Sequence, residues 1–313
     1  MTLHRKYLSL LAGALVSAAI GGLPAMAAEF DLSPEQPGRI HAEKSEKAAA
    51  AISHDFKFAK AGYLTIATNP SDPPLGTYAS DAKTVVGTDP DFAVLIAETL
   101  GLKLDLVSVA WADWPLGLQS GKYDAVISNV TVTEERKEKF DFSTYRKDVL
   151  GFYVKADSPI ASISAPKDIA GLKVITGAGT NQEKIILEWD KENVAAGLKP
   201  IVVQYYDDSG ASQLALQSGR ADVEFNPNAT LAYKSAVSGK TKLVGIVSGG
   251  WPLTAEIAVT TRKGSGLAEA VTLAVNELIA NGKYGEVLKK WSLTAEGIDK
   301  SATNPQGLPK PAS

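Results

Sequence analysis

From residue 63 onward, short apolar runs alternate with amphipathic stretches. Residues 63–68 read as a strand before a helix at 92–100, 103–109 as a strand before a helix at 114–120, and 125–128 as a strand before a charged turn that begins at Glu134. The rhythm then repeats. A strand-like run at 150–155 is followed by 173–176 before 182–189, 201–205 before 209–218, and 221–225 before 229–237. Parallel strands need a crossover between them, usually a helix, so this alternation predicts a mainly parallel sheet covered by helices. Two α/β units in tandem are expected. A further strand at 256–261 and helices at 266–280 and 284–291 follow once the second unit is complete. If these return to the first unit, 150–155 and 255–262 become a pair of strands crossing between two lobes.

The expected division is therefore a first lobe at 58–150, a second at 151–252, and a return segment at 253–293. Residues 28–57 hold Pro34, Pro37, a charged run at 43–47 and four alanines, which reads as a flexible leader or one marginal helix. The tail at 294–313, with Pro305, Pro309 and Pro311, is expected to be poorly ordered.

The first residues bear on compartment. His4, Arg5 and Lys6 form a basic start, 8–20 is apolar, and Ala25-Met26-Ala27 is a small-residue cleavage site, the pattern of a secretory signal peptide over 1–27. That apolar run falls short of the roughly 20 residues a membrane-spanning helix needs. The chain has no cysteine, so no lipid anchor, disulfide or thiolate metal site is expected, and the periplasm fits best. Its formal net charge of −3 becomes more negative once Arg5 and Lys6 are removed, which argues against a nucleic-acid partner.

All three histidines, His4, His41 and His54, precede the first strand. The lobes thus lack the parts of a Ser-His-Asp or Cys-His arrangement and of a histidine zinc site. No cofactor and no metal are expected.

Two stretches could hold a ligand. In SNVTVTEERKEKFDFS (128–143), Val130 and Val132 end a strand and Thr131 with Glu134 fits the S/T-x-x-E capping pattern. Arg136 then sits in a first helical turn, where the backbone amides favour anions over cations. Either it holds an anionic ligand or it pairs with a neighbouring glutamate in solvent. In TGAGTNQE (176–183), small residues and a helix start with Thr180 and Asn181 suit either a carboxylate or phosphate, or simply a tight turn with Thr180 as cap. The stretch lacks the Gly-Lys-Ser/Thr of a nucleotide loop. If the two polar starts face one another across a cleft, one ligand anion can meet both.

Taken in order, TNPSDPPL (68–75), VGTDPDFAVLIAETLGLKL (86–104), LQSGKYDAVISNVTVTEERKEKFDFS (118–143), LKVITGAGTNQE (172–183), LQSGRADVEFN (216–226) and NGKYGEVLKKW (281–291) resemble the periplasmic solute-binding proteins of polar amino-acid ABC importers. The resemblance implies a two-lobed, type II binding-protein fold whose lobes close over an amino acid or an amino-acid derivative. It also implies a monomer that hands its ligand to an inner-membrane permease driven by an ATPase. By resemblance Arg136 binds the ligand's α-carboxylate, Thr131 and Asn129 contact the same ligand, and Thr180 and Asn181 close over it from the second lobe.

The departures from the family are specific. The position that usually carries an aspartate for the α-amino group is Pro227, and an aromatic position near the start of the family pattern is Asp72. Asp72 is expected either to meet a cationic group of the ligand or only to open a Pro-rich turn. Asn226, Asn228 or Glu224 could serve as substitute acceptors. Trp111 and Trp114 could wall the site, with packing the commoner role for a tryptophan beside a helix. A prephenate or arogenate dehydratase on the same fold is the alternative from another class; it needs a carboxyl acid in the cleft, for which Glu224 or Asp72 is available.

Overall fold

The computed structural model describes residues 30–206 and 208–310, so the expected signal peptide lies outside the described residues. A short helix α1 (Glu46–Ala50) precedes strand β1 (Tyr63–Thr68) and a small hairpin of β2 (Thr77–Tyr78) and β3 (Val85–Val86). Then come α2 (Thr88–Thr99), β4 (Lys103–Ser108), α3 (Trp114–Gln119), β5 (Ala125–Val126) and the long β6 (Phe140–Lys155). The second lobe adds β7 (Lys173–Thr176), α4 (Asn181–Ala195), β8 (Val202–Tyr205), α5 (Ser209–Gln217), β9 (Val223–Pro227), α6 (Asn228–Ser238) and β10 (Thr241–Ser248). The chain ends with β11 (Ala255–Arg262), α7 (Ala268–Ala280) and α8 (Lys283–Lys290).

The strands form one continuous sheet in the order β4-β1-β5-β11-β6-β9-β7-β8, with β10 also on β6. Pairs of β1 with β4 and β5, and of β7 with β8 and β9, are parallel, as the strand–helix rhythm requires. The centre is antiparallel. Residues 140–148 of β6 pair with β11, while 149–155 pair with β10 and, from Leu150, with β9. The chain passes between the lobes twice, along β6 and again from β10 to β11, but the expected pairing of 150–155 with 255–262 is corrected, since 255–262 pair with 140–148. One strand serves both lobes, its first half in the sheet of the first and its second half in the sheet of the second, and its inward residues are buried along nearly the whole length. A long strand needs only continuous apolar pairing on both sides, which two separate short runs in the sequence do not advertise.

Each lobe has its own core. In the first, Leu64, Ile66, Phe92 and Ile96 pack with Val271, Val275 and Trp291, so α7 and α8 return to complete it. In the second, Phe152 stacks on Phe225 at 4.1 Å and on Trp189 at 5.4 Å, and Trp251 meets the edge of Trp189. Trp251 is thus a packing residue.

Within the described residues, the leader and the tail pack on the rest of the chain, and the marginal helix offered as one reading of the leader is α1 (Glu46–Ala50). In the leader, Ala48 is buried, Leu32, Ile40 and Ala42 pack on the first core, and Phe30 lies between Trp291 of the first lobe and Tyr233 of α6. Prolines and charges dominate its composition, but widely spaced apolar side chains anchor it. The tail adds backbone to the stretch before Arg136: Leu308 N–H donates to Val132 O at 3.0 Å, and Glu134 N–H donates to Leu308 O at 2.9 Å. Asn304 accepts from Phe142 N–H and donates to Asp141. Prolines are compatible with such an edge because only one side of it must pair.

Ending the chain after Ala302 should cost about 2–4 kcal/mol of stability, given roughly 1 kcal/mol net for each buried hydrogen bond lost. Urea unfolding of the shortened and full chains measures this, and equal midpoints would show the tail to be energetically detached.

Candidate ligand-binding cleft

Loops at the carboxyl ends of the parallel strands open into a cleft of about 430 Å³ between the lobes, the usual place for a site in a sheet of this kind. The first lobe contributes Asn69, Asp72, Trp111, Thr131 and Arg136. The second contributes Gly177, Thr180, Glu224, Pro227 and Lys234.

Arg136 opens a single 3-10 turn, Arg136–Glu138, in place of the α-helical start that its sequence suggests. The cap is also different. Thr133 Oγ1, and not Thr131, accepts Arg136 N–H at 3.1 Å, while Glu134 takes Gly307 N–H and Lys137 Nζ. A 3-10 turn spans fewer residues than an α-turn, so the cap falls closer to Arg136, while the backbone around Thr131 is held in a bridge to Ile257. The guanidinium donates from Nη1 to Thr131 O at 2.9 Å and from Nη2 across the cleft to Gly179 O at 3.2 Å. It lies 5.6 Å from the centre of the Trp111 ring and 5.9 Å from that of Trp114, so both tryptophans wall the cation.

No carboxylate among the described residues forms an ion pair with Arg136; its neighbour Glu135 is taken by Lys184 of the second lobe at 2.5 Å. Arg136 is half-buried, and the loss of hydration around its guanidinium pulls the pKa down to about 10, which leaves it charged at neutral pH. Among the described residues, the Arg136 charge therefore has no ion-pair partner. The two polar helix starts do face each other, joined by the Arg136–Gly179 bond.

Thr180 caps α4 by accepting Glu183 N–H, and it donates to Gly177 O at 2.6 Å. Its hydroxyl sits beside the Gly177–Gly179 turn, where Gly179 takes φ +69°. Asn181 lines the cleft with its side-chain amide donating to Gly249 O, at the turn between β10 and β11. The Thr131 hydroxyl has no hydrogen bond among the described residues and borders the cleft.

Asn129 and Asp72 are already engaged. Asn129, with φ +51°, accepts from Arg146 and donates towards Asp148 at 3.4 Å, so its side chain ties the cleft floor to β6. Asp72 receives Ser209 Oγ–H at 2.9 Å and pairs with Lys234 Nζ at 3.0 Å, both from the second lobe. Lys234 is the residue the sequence reading missed. A usable signal was present, since Lys234 is the sole charged residue of α6, NATLAYKSAVS, and a solvated helix face rarely carries just one.

Beneath the cleft lies a buried charged cluster. Arg146, fully buried, pairs with Glu296 and sits close to Asp89 and Asp148, while Tyr145 O–H donates to Asp89 at 2.7 Å. Three carboxylates face one guanidinium. Burial, only partly offset by Arg146, raises Asp148 to about 7 and also raises Asp89 and Glu296.

A family model described as bacterial extracellular solute-binding proteins, family 3, matches residues 64–294. The chain belongs to that family. This family 3 protein is 32% identical over 237 residues to the L-cystine-binding protein TcyJ of Escherichia coli K12, a match covering 75% of this chain and 84% of the relative. It is 26% identical to the arginine-binding protein ArgT of Corynebacterium glutamicum, over 80% of this chain and 81% of the relative. Among solved structures, an ancestral arginine-binding protein bound to arginine superposes with TM-score 0.64 at 33% identity, covering 74% of this chain and 98% of the other. The family 3 protein has the two-lobed type II fold of these structures. The match begins at residue 64, so the leader lies outside the family model, as does the tail beyond residue 294.

The raised carboxyls carry a sign. A carboxyl raised from 3.8 unfolded to about 7 folded, as for Asp148, binds more protons in the folded state between those values. Its contribution to stability is full below the unfolded pKa and is lost as pH rises through about 7. Thermal unfolding of wild type should therefore fall between pH 5 and pH 8 more steeply than that of Asp148→Asn, and parallel curves would contradict this.

Proposed function

We propose that the chain is the periplasmic binding component of an ABC importer for an amino acid or an amino-acid derivative, exported by residues 1–27 and acting as a monomer. The observation that carries the ligand class is Arg136, a charged guanidinium bonded to neutral carbonyls of both lobes and lacking a carboxylate partner among the described residues. A carboxylate supplies what that site lacks. Two parallel charge-assisted hydrogen bonds from a planar guanidinium suit a carboxylate's two oxygens. The names of the relatives, which bind cystine and arginine, support the same class.

In this reading Arg136 and the Thr131 hydroxyl take the carboxylate from the first lobe, Asn129 holds the loop that shapes its floor, and Thr180 and Asn181 close over it from the second. A ligand that touches both lobes binds the closed arrangement better than the open one and shifts the population towards it. Trp111 and Trp114 exclude water from the ion pair and so strengthen it. The closed form then docks on the permease, whose ATPase releases the ligand inward. The relatives are named as binding proteins, so the dehydratase alternative is set aside, and Glu224 is read as part of recognition.

Arg136→Gln keeps one donor and removes the charge. With a charge-assisted bond contributing about 1.5–3 kcal/mol, affinity for the preferred amino acid should fall by about 10-fold to 150-fold. Titration calorimetry on a folded variant checks this, and a loss below threefold would refute the role.

A further inference from the structure

Pro227 leaves the position that resemblance assigns to the amine acceptor without a polar side chain. Three charged groups gather close to it. Lys234 Nζ lies 3.0 Å from Asp72 and 3.9 Å from Glu224. Asp72 comes from the loop after β1 in the first lobe, Glu224 from β9 two residues before Asn226, and Lys234 from the helix that follows Pro227. All three line the same cleft as Arg136. The cluster is built, in that Ser209 donates to Asp72, while Ser212 and Asn226 donate to Glu224 at 3.2 and 3.3 Å.

Counting charges decides what it can take. Among the described residues, two carboxylates meet one ammonium here, an excess of one negative charge, whereas Arg136 is an excess of one positive charge. Asp89 also borders the cleft, but Tyr145 and Arg146 already attend to it. A ligand that cancels both excesses has one carboxylate and one cationic nitrogen. A second carboxylate would meet the excess acid, and a second cation at the amine end would bring Lys234 a like-charged neighbour.

Resting on the amino-acid reading above, we propose that Asp72, Glu224 and Lys234 form the amine subsite. The ligand's ammonium is held between the two carboxylates in place of an acceptor at 227, and Lys234, by neutralising one of them, restricts that end to a single cationic nitrogen. Specificity then comes from the repulsive element as much as from the attractive one. Because Asp72 and Glu224 belong to different lobes, the ammonium is a second bridge that completes closure.

The test is titration calorimetry of the mature chain with a panel of L-amino acids whose side chains are uncharged (the uncharged amino acids below), their amine-free counterparts, and L-ornithine and L-arginine. Asp72→Asn and Glu224→Gln should weaken the preferred uncharged amino acid about tenfold or more while changing its amine-free counterpart less than twofold. Lys234→Met should improve L-ornithine and L-arginine relative to that amino acid by about tenfold. Equal losses for amine-bearing and amine-free probes would overturn the amine subsite alone, since the cluster would then act through lobe closure. If no uncharged amino acid binds wild type, the proposal falls; if in addition Arg136→Gln leaves carboxylate binding unchanged, the reading of Arg136 falls as well.

Discussion

A guanidinium held in place by neutral carbonyls is oriented without being neutralised, and the architecture of this protein follows from keeping Arg136 in that condition. The bond to Thr131 O fixes it to the first lobe, the bond to Gly179 O reaches the second, and two tryptophan rings lie beside it at 5.6 and 5.9 Å. Burying an uncompensated charge is costly. In the function proposed above, that cost opposes closure without ligand, and with a carboxylate in place the low-dielectric surroundings strengthen the ion pair. On that proposal one residue couples recognition to lobe position.

The supporting structure protects that geometry. The backbone before Arg136 is paired on one side with β11 through Ile257 and on the other with the tail through Leu308, so the loop cannot drift along the strand direction. Below it, Arg146 draws Asn129, Glu296 and two further carboxylates into a single cluster on β6. Because β6 belongs to the sheets of both lobes, charge at its centre lies where relative movement of the lobes must be absorbed. The leader adds a contact of another kind, with Phe30 packed against Trp291 of one lobe and Tyr233 of the other.

How much of this could be read from residue order depends on how local each feature is. The strand–helix alternation and the return of the last helices are encoded in short stretches, and the sequence reading reached them. Thr180 as a cap was equally local. The cap at Thr133 was misplaced by two residues because choosing between α and 3-10 turns depends on tertiary pairing at Thr131. Lys234 escaped notice because its meaning arises only when α6 is laid beside the loop carrying Asp72, far away in sequence. The order of the leader and tail was hidden for a related reason: proline and charge describe average composition, whereas Phe30, Leu32 and Leu308 act singly at places that only the fold supplies.

The central claim is that Arg136 captures a carboxylate and that this capture stabilises the closed protein. Its most direct test is thermal unfolding of the mature wild-type chain with each common amino acid and, for the most stabilising one, with the amine obtained by removing its carboxyl group. At a ligand concentration 100 times the dissociation constant, stabilisation of about 2.7 kcal/mol is expected for the amino acid, with none detectable for the amine at the same concentration. Equal stabilisation by the two would contradict the account.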